Sequence, residues 1–264
     1  MRTLRGSFYS ALLTVAVLVP QVFASAPIGS VVAIQGHATA TDPGGVERRL
    51  QLKSEIFLND KLVTGRSARL QVLFDDNSVI TQGEKGEMLI DKFVYSPQEA
   101  ASGNCAMKFA SGLFRVVTGK IAAVNPERFK VRTRQATIGI RGCEVGFVLG
   151  ETKEDIYILW LPEGKSILVE RAFGMGLSPY NSPGAGDMLN IMQAGTAISV
   201  SEGATLHERA MSPGEMSDFY KNLLIDPFAA EDQSTSGSDV SPHETRAANQ
   251  VVGAGKHIED EATV

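Results

Sequence analysis

The sequence is poor in the features that commit a chain to covalent or nucleic-acid chemistry. It holds two cysteines in 264 residues, Cys105 and Cys143. Their separation fits neither the Cys-x-x-Cys spacing of a redox site nor a zinc site, which would also need further ligands nearby. Lys and Arg form no run along the chain, and 25 basic against 30 acidic residues leave a net charge of -5. Nothing in the linear sequence could neutralise a row of phosphates, so nucleic acid is not an expected partner. No Gly-x-Ser-x-Gly elbow and no Cys/His nucleophile pattern occurs. Of four histidines, His243 and His257 lie near the C-terminus, His37 follows a glycine turn, and His207 has no second ligand at metal spacing. Asp75-Asp76-Asn77-Ser78 lacks the length and closing Glu of a calcium loop. No cofactor and no metal site is expected. Disorder of the whole chain is excluded by a hydrophobic fraction of 43%.

The single long apolar run stands at the N-terminus. Arg2 and Arg5 precede an aliphatic stretch from Ala11 to Val19, Pro20 ends it, and small residues follow. That order is the pattern of a secretory signal peptide. Cleavage is expected after Ala24, because cutting after Ala26 would leave Pro27 at the new N-terminus. An uncleaved anchor is the alternative, but the run from Phe8 to Val19 includes Ser10 and Thr14 and is short of the ~20 apolar residues of a membrane span. Residues 1–24 are therefore read as a leader, with no stable span after its removal, and the mature chain as periplasmic or secreted.

Export into an oxidising compartment permits a Cys105–Cys143 disulfide, for which chain entropy alone predicts about 3 to 4 kcal/mol. Two buried free thiols are the alternative. At the other end, positions 229–264 carry seven acids against Arg246 and Lys256 and no aromatic residue. Such a segment buries too little apolar surface to offset its ordering entropy, which predicts a disordered acidic tail.

Between leader and tail, short apolar runs alternate with glycine-bearing turns, which predicts an all-β architecture. Leu70, Val72 and Phe74 alternate with Arg69, Gln71 and Leu73 before the Asp-Asp-Asn-Ser turn. Phe129, Val131 and Thr133 alternate with Lys130, Arg132 and Arg134, a half-buried strand with a basic outer face. Positions 156–161 are apolar on both sides and read as a central strand ended by Pro162-Glu163-Gly164. Further strands are expected at 30–34, 112–117, 120–124, 166–170, 188–192 and 197–200. One helix is expected near the C-terminus. Ser212 is its N-cap, Pro213 its first residue and Glu215 the partner in a capping box, with Met216, Phe219, Tyr220 and Leu223 on one face.

An internal echo links Leu62-Val63-Thr64-Gly65-Arg66 with Val116-Val117-Thr118-Gly119-Lys120. If the two copies stack, Arg66 and Lys120 offer a basic binding surface. The alternative is a pair of solvated turn residues.

The segments Ile28-Gly29-Ser30-Val31, Leu58 to Gly65, Arg69 to Val72, Phe74 to Ser78 and above all Phe129 to Gly142 resemble the FecR domain, from about position 27 to 149. The Ala136-Thr137-Ile138-Gly139-Ile140-Arg141-Gly142 stretch carries most of the likeness. The resemblance implies a compact β-rich extracytoplasmic domain and, in the founding proteins, iron-uptake signalling by a membrane-anchored sensor. This chain departs from that plan, since no cytoplasmic domain precedes its apolar run. Cys143 stands where the family usually has Thr, which suggests that this branch adds a disulfide. Within the motif, Gly139 is expected to admit a close backbone and Arg141-Gly142 to turn the chain, with Arg141 either structural or a ligand-binding residue.

The expected organisation is a leader (1–24), a FecR-like β domain (25–150), a β-rich extension with a terminal helix (151–228) and the acidic tail (229–264). The function expected is a non-enzymatic binding module whose partner is an envelope protein or polymer. The alternative is a carbohydrate-active or other hydrolytic enzyme, for which two acids would have to converge in one cleft.

Overall fold

The computed structural model describes residues 25–172, 187–201 and 205–225. The expected leader and acidic tail lie outside these residues. In chain order the first strands are β1 (Gly29–Gln35), β2 (Ala38–Thr41), β3 (Glu47–Arg49), β4 (Glu55–Ile56), β5 (Lys61–Thr64), β6 (Arg69–Phe74), β7 (Val79–Gln82) and β8 (Glu87–Val94). The long β9 (Asn104–Val117) leads into the helix α1 (Lys120–Val124), followed by β10 (Phe129–Arg132), β11 (Ala136–Gly139), β12 (Glu144–Leu149) and β13 (Lys153–Trp160). The last elements are β14 (Ile167–Arg171), β15 (Met188–Ile191), β16 (Thr196–Ser201), β17 (His207–Ala210) and the helix α2 (Pro213–Leu223).

The strands form two layers that share β9. Sheet I runs β4-β1-β6-β7-β9-β12-β13-β16-β17, antiparallel throughout. Sheet II runs β3-β2-β5-β8-β9-β10-β11-β14-β15, with β9 and β10 the parallel pair. Strand β9 passes from one sheet to the other between Ser111, opposite Glu87 in sheet II, and Gly112, opposite Leu149 in sheet I. Pairing also crosses position 150, because β13 pairs with β12 and β14 with β11.

Period-two patterning explains the layers, since alternate side chains of a strand point to opposite faces. Leu70, Val72 and Phe74 of β6 and Val145, Phe147 and Leu149 of β12 enter the core from sheet I. Leu62, Met88, Ile90, Met107, Val131, Ile138 and Val169 enter it from sheet II. Across the bend of β9, Phe109 stacks on Phe114 at 4.2 Å between ring centroids and meets Phe147 edge-on at 5.3 Å. This aromatic cluster pins the two layers where the strand changes sheet.

Most of the strands expected from the sequence are present, and the alternation expected over 129–132 is observed: Phe129 and Val131 are buried, Lys130 and Arg132 exposed. The strand expected over 120–124 is instead α1. The Asp76 carbonyl accepts the Lys120 amide at 2.7 Å and an Asp76 carboxylate oxygen accepts the Ile121 amide, so the amides that a strand would offer to a neighbour start a helical turn. Two alanines propagate it, and Asn125-Pro126 ends it.

Helix α2 has the expected N-terminus. Ser212 Oγ accepts the Glu215 amide while the Glu215 carboxylate accepts the Ser212 amide, a complete capping box. Arg209 grips the same carboxylate with both arms, and with the Ser212 donors holds it down at about 2. The helix lays Met216, Phe219, Tyr220 and Leu223 on the outside of sheet I, against Leu113, Val148, Tyr157 and Leu159. Gly146 makes this docking possible, since a Cβ there would stand 2.5 Å from the Phe219 ring. A polar clamp accompanies it: Glu144 Oε1 accepts from Tyr220 at 2.6 Å and from Arg115 at 2.7 Å.

Candidate functional site: the signature turns and their buried anchors

Among the described residues three carboxylates are fully buried, Asp60, Asp76 and Glu154, and a buried carboxylate must find partners or take up a proton. Asp60 opens the segment Asp60-Lys61-Leu62-Val63-Thr64. It is reached by the turn at Asn59, whose φ of 66° suits an Asn, and takes both arms of Arg48 together with the Phe57 amide at 2.8 Å. At the end of β5, Thr64 Oγ1 donates to the Gly83 carbonyl at 2.6 Å and accepts the Gly86 amide at 2.9 Å. The first half of the internal echo thus ties β5 to the β7–β8 turn.

Asp76 organises the other end of β7. Its carboxylate accepts the Ser78 amide and hydroxyl at 2.9 and 2.8 Å, and Ser78 Oγ accepts the Gly119 amide at 2.9 Å. Gly119 is required here, because any Cβ would collide with the Asp76 carbonyl oxygen. Beside it, Thr118 Oγ1 accepts the Cys143 amide at 3.0 Å and donates to the Cys143 carbonyl at 3.1 Å. In both halves of the echo the threonine hydroxyl fastens a neighbouring loop.

The segment Phe129–Gly142 forms the hairpin β10–β11. Thr133 Oγ1 accepts the Ala136 amide at 2.9 Å and donates to Glu154, so the β10–β11 turn is anchored on β13. Arg134 donates to the Gly150 carbonyl, and Gln135 Nε2 to the Thr152 carbonyl at 3.2 Å. The second carboxylate oxygen of Glu154 is buried without a hydrogen-bond partner. Burial pushes the Glu154 carboxyl above its ordinary range, against the opposing pull of the Thr133 hydroxyl. The expected close approach at Gly139 is not observed: a Cβ there would meet Leu168 only at 3.9 Å, ordinary van der Waals contact. The chain turns at Gly142, with φ 76°.

The candidate binding residues Arg66, Lys120 and Arg141 do not form one surface. Arg66 follows β5 next to the loop after β7, while Lys120 lies beside Asp76 before β7. Their anchor points, Gly83 and Ser78, are five positions apart along β7 and its flanks, about 16 Å at ~3.3 Å per residue, so the two halves of the echo do not stack. Arg66 and Lys120 are exposed. Arg141 is half-buried and paired with Glu127, a structural contact.

The expected Cys105–Cys143 disulfide is absent from the structure; both residues are buried free thiols. Each is seated in the shared core, and burial pushes the Cys143 thiol up to about 12 and Cys105 well above its ordinary value. The three buried acids occupy three different places rather than one cleft, each tied to its own turn. What sequence reasoning missed was their role: Asp60 stood only within the Leu58–Gly65 likeness, Asp76 only in a turn, and Glu154, ahead of the strand expected at 156–161, was not singled out. Among the described residues no helix is long and apolar enough to cross a membrane.

No curated protein matches this chain. Two crystal structures of a candidate anti-sigma factor from Parabacteroides distasonis ATCC 8503 are similar at 12% identity, with TM-scores of 0.43 and 0.42. The likeness covers 61% of this chain and 63% and 64% of theirs, under two thirds of their length. A structure described as a cell surface anchoring domain is 27% identical over 24% of this chain and 83% of that one, with a TM-score of 0.23. The family model described as FecR protein matches residues 60–161. Proteins of that family are envelope-associated. The match starts at the buried Asp60 and ends one residue after β13, so that it takes in all three buried acids and the Phe129–Gly142 hairpin, and over these residues the chain is similar to the FecR domain.

Proposed function

We propose that this protein is a non-enzymatic interaction module of the bacterial envelope, periplasmic or secreted once its leader is removed, which binds an envelope partner without turning it over. One observation carries the reading. Five polar side chains of the FecR segment are occupied inside the fold: Asp60 by Arg48, Thr64 by the β7–β8 turn, Asp76 by Ser78 and α1, Thr118 by Cys143, Arg141 by Glu127. Groups tied up in this way hold loops at fixed positions and are withdrawn from chemistry on a substrate. What such a scaffold offers a partner is its rigid outer surface.

The test is to incubate mature protein with fractionated envelope material and to read both retention and product formation. Retention of one fraction with no change in the size of its components is expected. Release of sugar or peptide fragments would overturn the reading.

A further inference from the structure

The outward face of sheet II gathers cations that are distant in sequence. In register, Lys92 of β8 lies opposite Ala106 of β9, and Ala106 lies opposite Lys130 of β10. One step along the same face, Lys61 of β5 lies opposite Leu89, Leu89 opposite Lys108, and Lys108 opposite Arg132. All five cations are exposed. Two carboxylates pair with them, and Glu47 and Glu170 stand at the two ends of the Lys61–Arg132 row, across Thr41 and Thr137. Asp91 is shared by Lys108 at 3.0 Å and Arg132 at 3.9 Å, and Glu87 stands 3.9 Å from Lys61. Lys92 and Lys130 have no ion pair among the described residues. The centre of the face is thus positive on a protein whose net charge is -5, and it places Arg132 directly beside Lys108, a like-charged pair that costs stability in a sheet.

We propose that this face binds an extended carboxylated polysaccharide, a polyuronate. The inference rests on the interaction-module reading above and names the partner class. Three features of the face point to this occupant. The cations recur at one and two interstrand spacings, about 5 and 10 Å, and a polymer with one carboxylate per sugar ring repeats on a comparable length. Between Lys92 and Lys130 lies only Ala106, with Gly139 next to Lys130, so the row is a shallow trough that a sugar backbone can enter. The described cavities lie elsewhere, at the Gly112–Gly150 and Gly195–Glu208 turns. The five cation-bearing positions and Ala106, Leu89 and Gly139 include no aromatic residue to seat a peptide anchor. Charge repeat, rather than pocket shape, is what this surface can read, with the Arg132 fork suited to a carboxylate.

The experiment uses the mature full chain and measures binding to polygalacturonate at low and moderate salt. Its methyl-esterified form, poly-glutamate, polyphosphate and single-stranded DNA are the comparators. Polygalacturonate is expected to bind with affinity that falls steeply with salt, and the esterified polymer not to bind. Lys92→Glu with Lys130→Glu should weaken binding about tenfold or more, since each reversal swaps an attraction for a repulsion. Arg66→Glu with Lys120→Glu, an equal charge change elsewhere, should leave it within about twofold. Should the first variant fail to fold by circular dichroism, Lys92→Gln with Lys130→Gln takes its place, with a smaller loss expected. Absence of binding at low salt, or an equal loss in the Arg66/Lys120 variant, would overturn the proposal. So would tighter binding of poly-glutamate, which would indicate an acidic protein, or equal binding of polyphosphate and DNA, which would indicate charge alone. Retention of some other envelope fraction by the same protein would leave the broader reading standing.

Discussion

The two outer faces of one sandwich have opposite characters, although β9 contributes to both. In its sheet II half, Ala106, Lys108 and Ala110 point outward, and the face is open and basic. In its sheet I half, Leu113, Arg115 and Val117 do so, and the face is apolar enough to be roofed by α2. The alternation that builds the core is the same on either side of the bend. The outward positions differ, and they decide whether a sheet recruits its own chain as a cover or is left to solvent and partners.

The comparison breaks most severely if the cover is removed. Phe219→Ala should cost about 3 kcal/mol by loss of a buried ring, read as a lowered Tm with new binding of a hydrophobic dye to the bared sheet I. Gly146→Val should displace the same ring at similar cost, and should cost far less in the Phe219→Ala background, where the space is empty. The docking clamp is weaker. Tyr220→Phe removes one hydrogen bond to a carboxylate and should cost about 1.5 kcal/mol in chemical denaturation, with the helix still docked.

Between the faces, Glu154 sharpens the contrast through pH. Because its folded carboxyl is raised, the folded state holds a proton that the unfolded chain has already released, and stability falls as pH rises from the ordinary carboxylate range through the raised folded value. Glu154→Gln removes that dependence. Its Tm should exceed that of the parent at pH 8 and match it near pH 4. The open face should show the smallest effect of all: Lys92→Glu with Lys130→Glu should change stability by about 0.5 kcal/mol or less, whereas an unpaired charge in place of Val148, under α2, should cost several times more.

Local patterns carried much of the fold into the sequence. Alternation in β6 and β10, the apolar run of β13 and the capping box at Ser212 each describe a few consecutive residues, and each is present in the structure. The helix at 120–124 was not legible, because its first turn is started by Asp76, more than forty positions away, and a five-residue apolar segment has no period of its own. The echo at Thr64 and Thr118 was legible as a repeat and misleading as a surface, since both threonines work by fastening loops that only the folded chain supplies.

Determined by the sequence alone are the all-β class, the basic outer side of β10, the helix that ends the described chain, and the FecR likeness of the segments around Asp60, Asp76 and Arg141. These follow from spacing within a strand or turn, where a side chain's direction is set by its own backbone. Tertiary structure alone decided that the two cysteines would be seated in the core as free thiols, that Glu154 would anchor the β10–β11 turn, and that Lys92, Lys130, Lys108, Arg132 and Lys61 would share one face. The physical reason is that period two fixes which side of its own strand a residue occupies, whereas its neighbours are chosen by strand pairing across long stretches of chain. Ala106 has Lys92 on one side and Lys130 on the other only because β9 lies between β8 and β10.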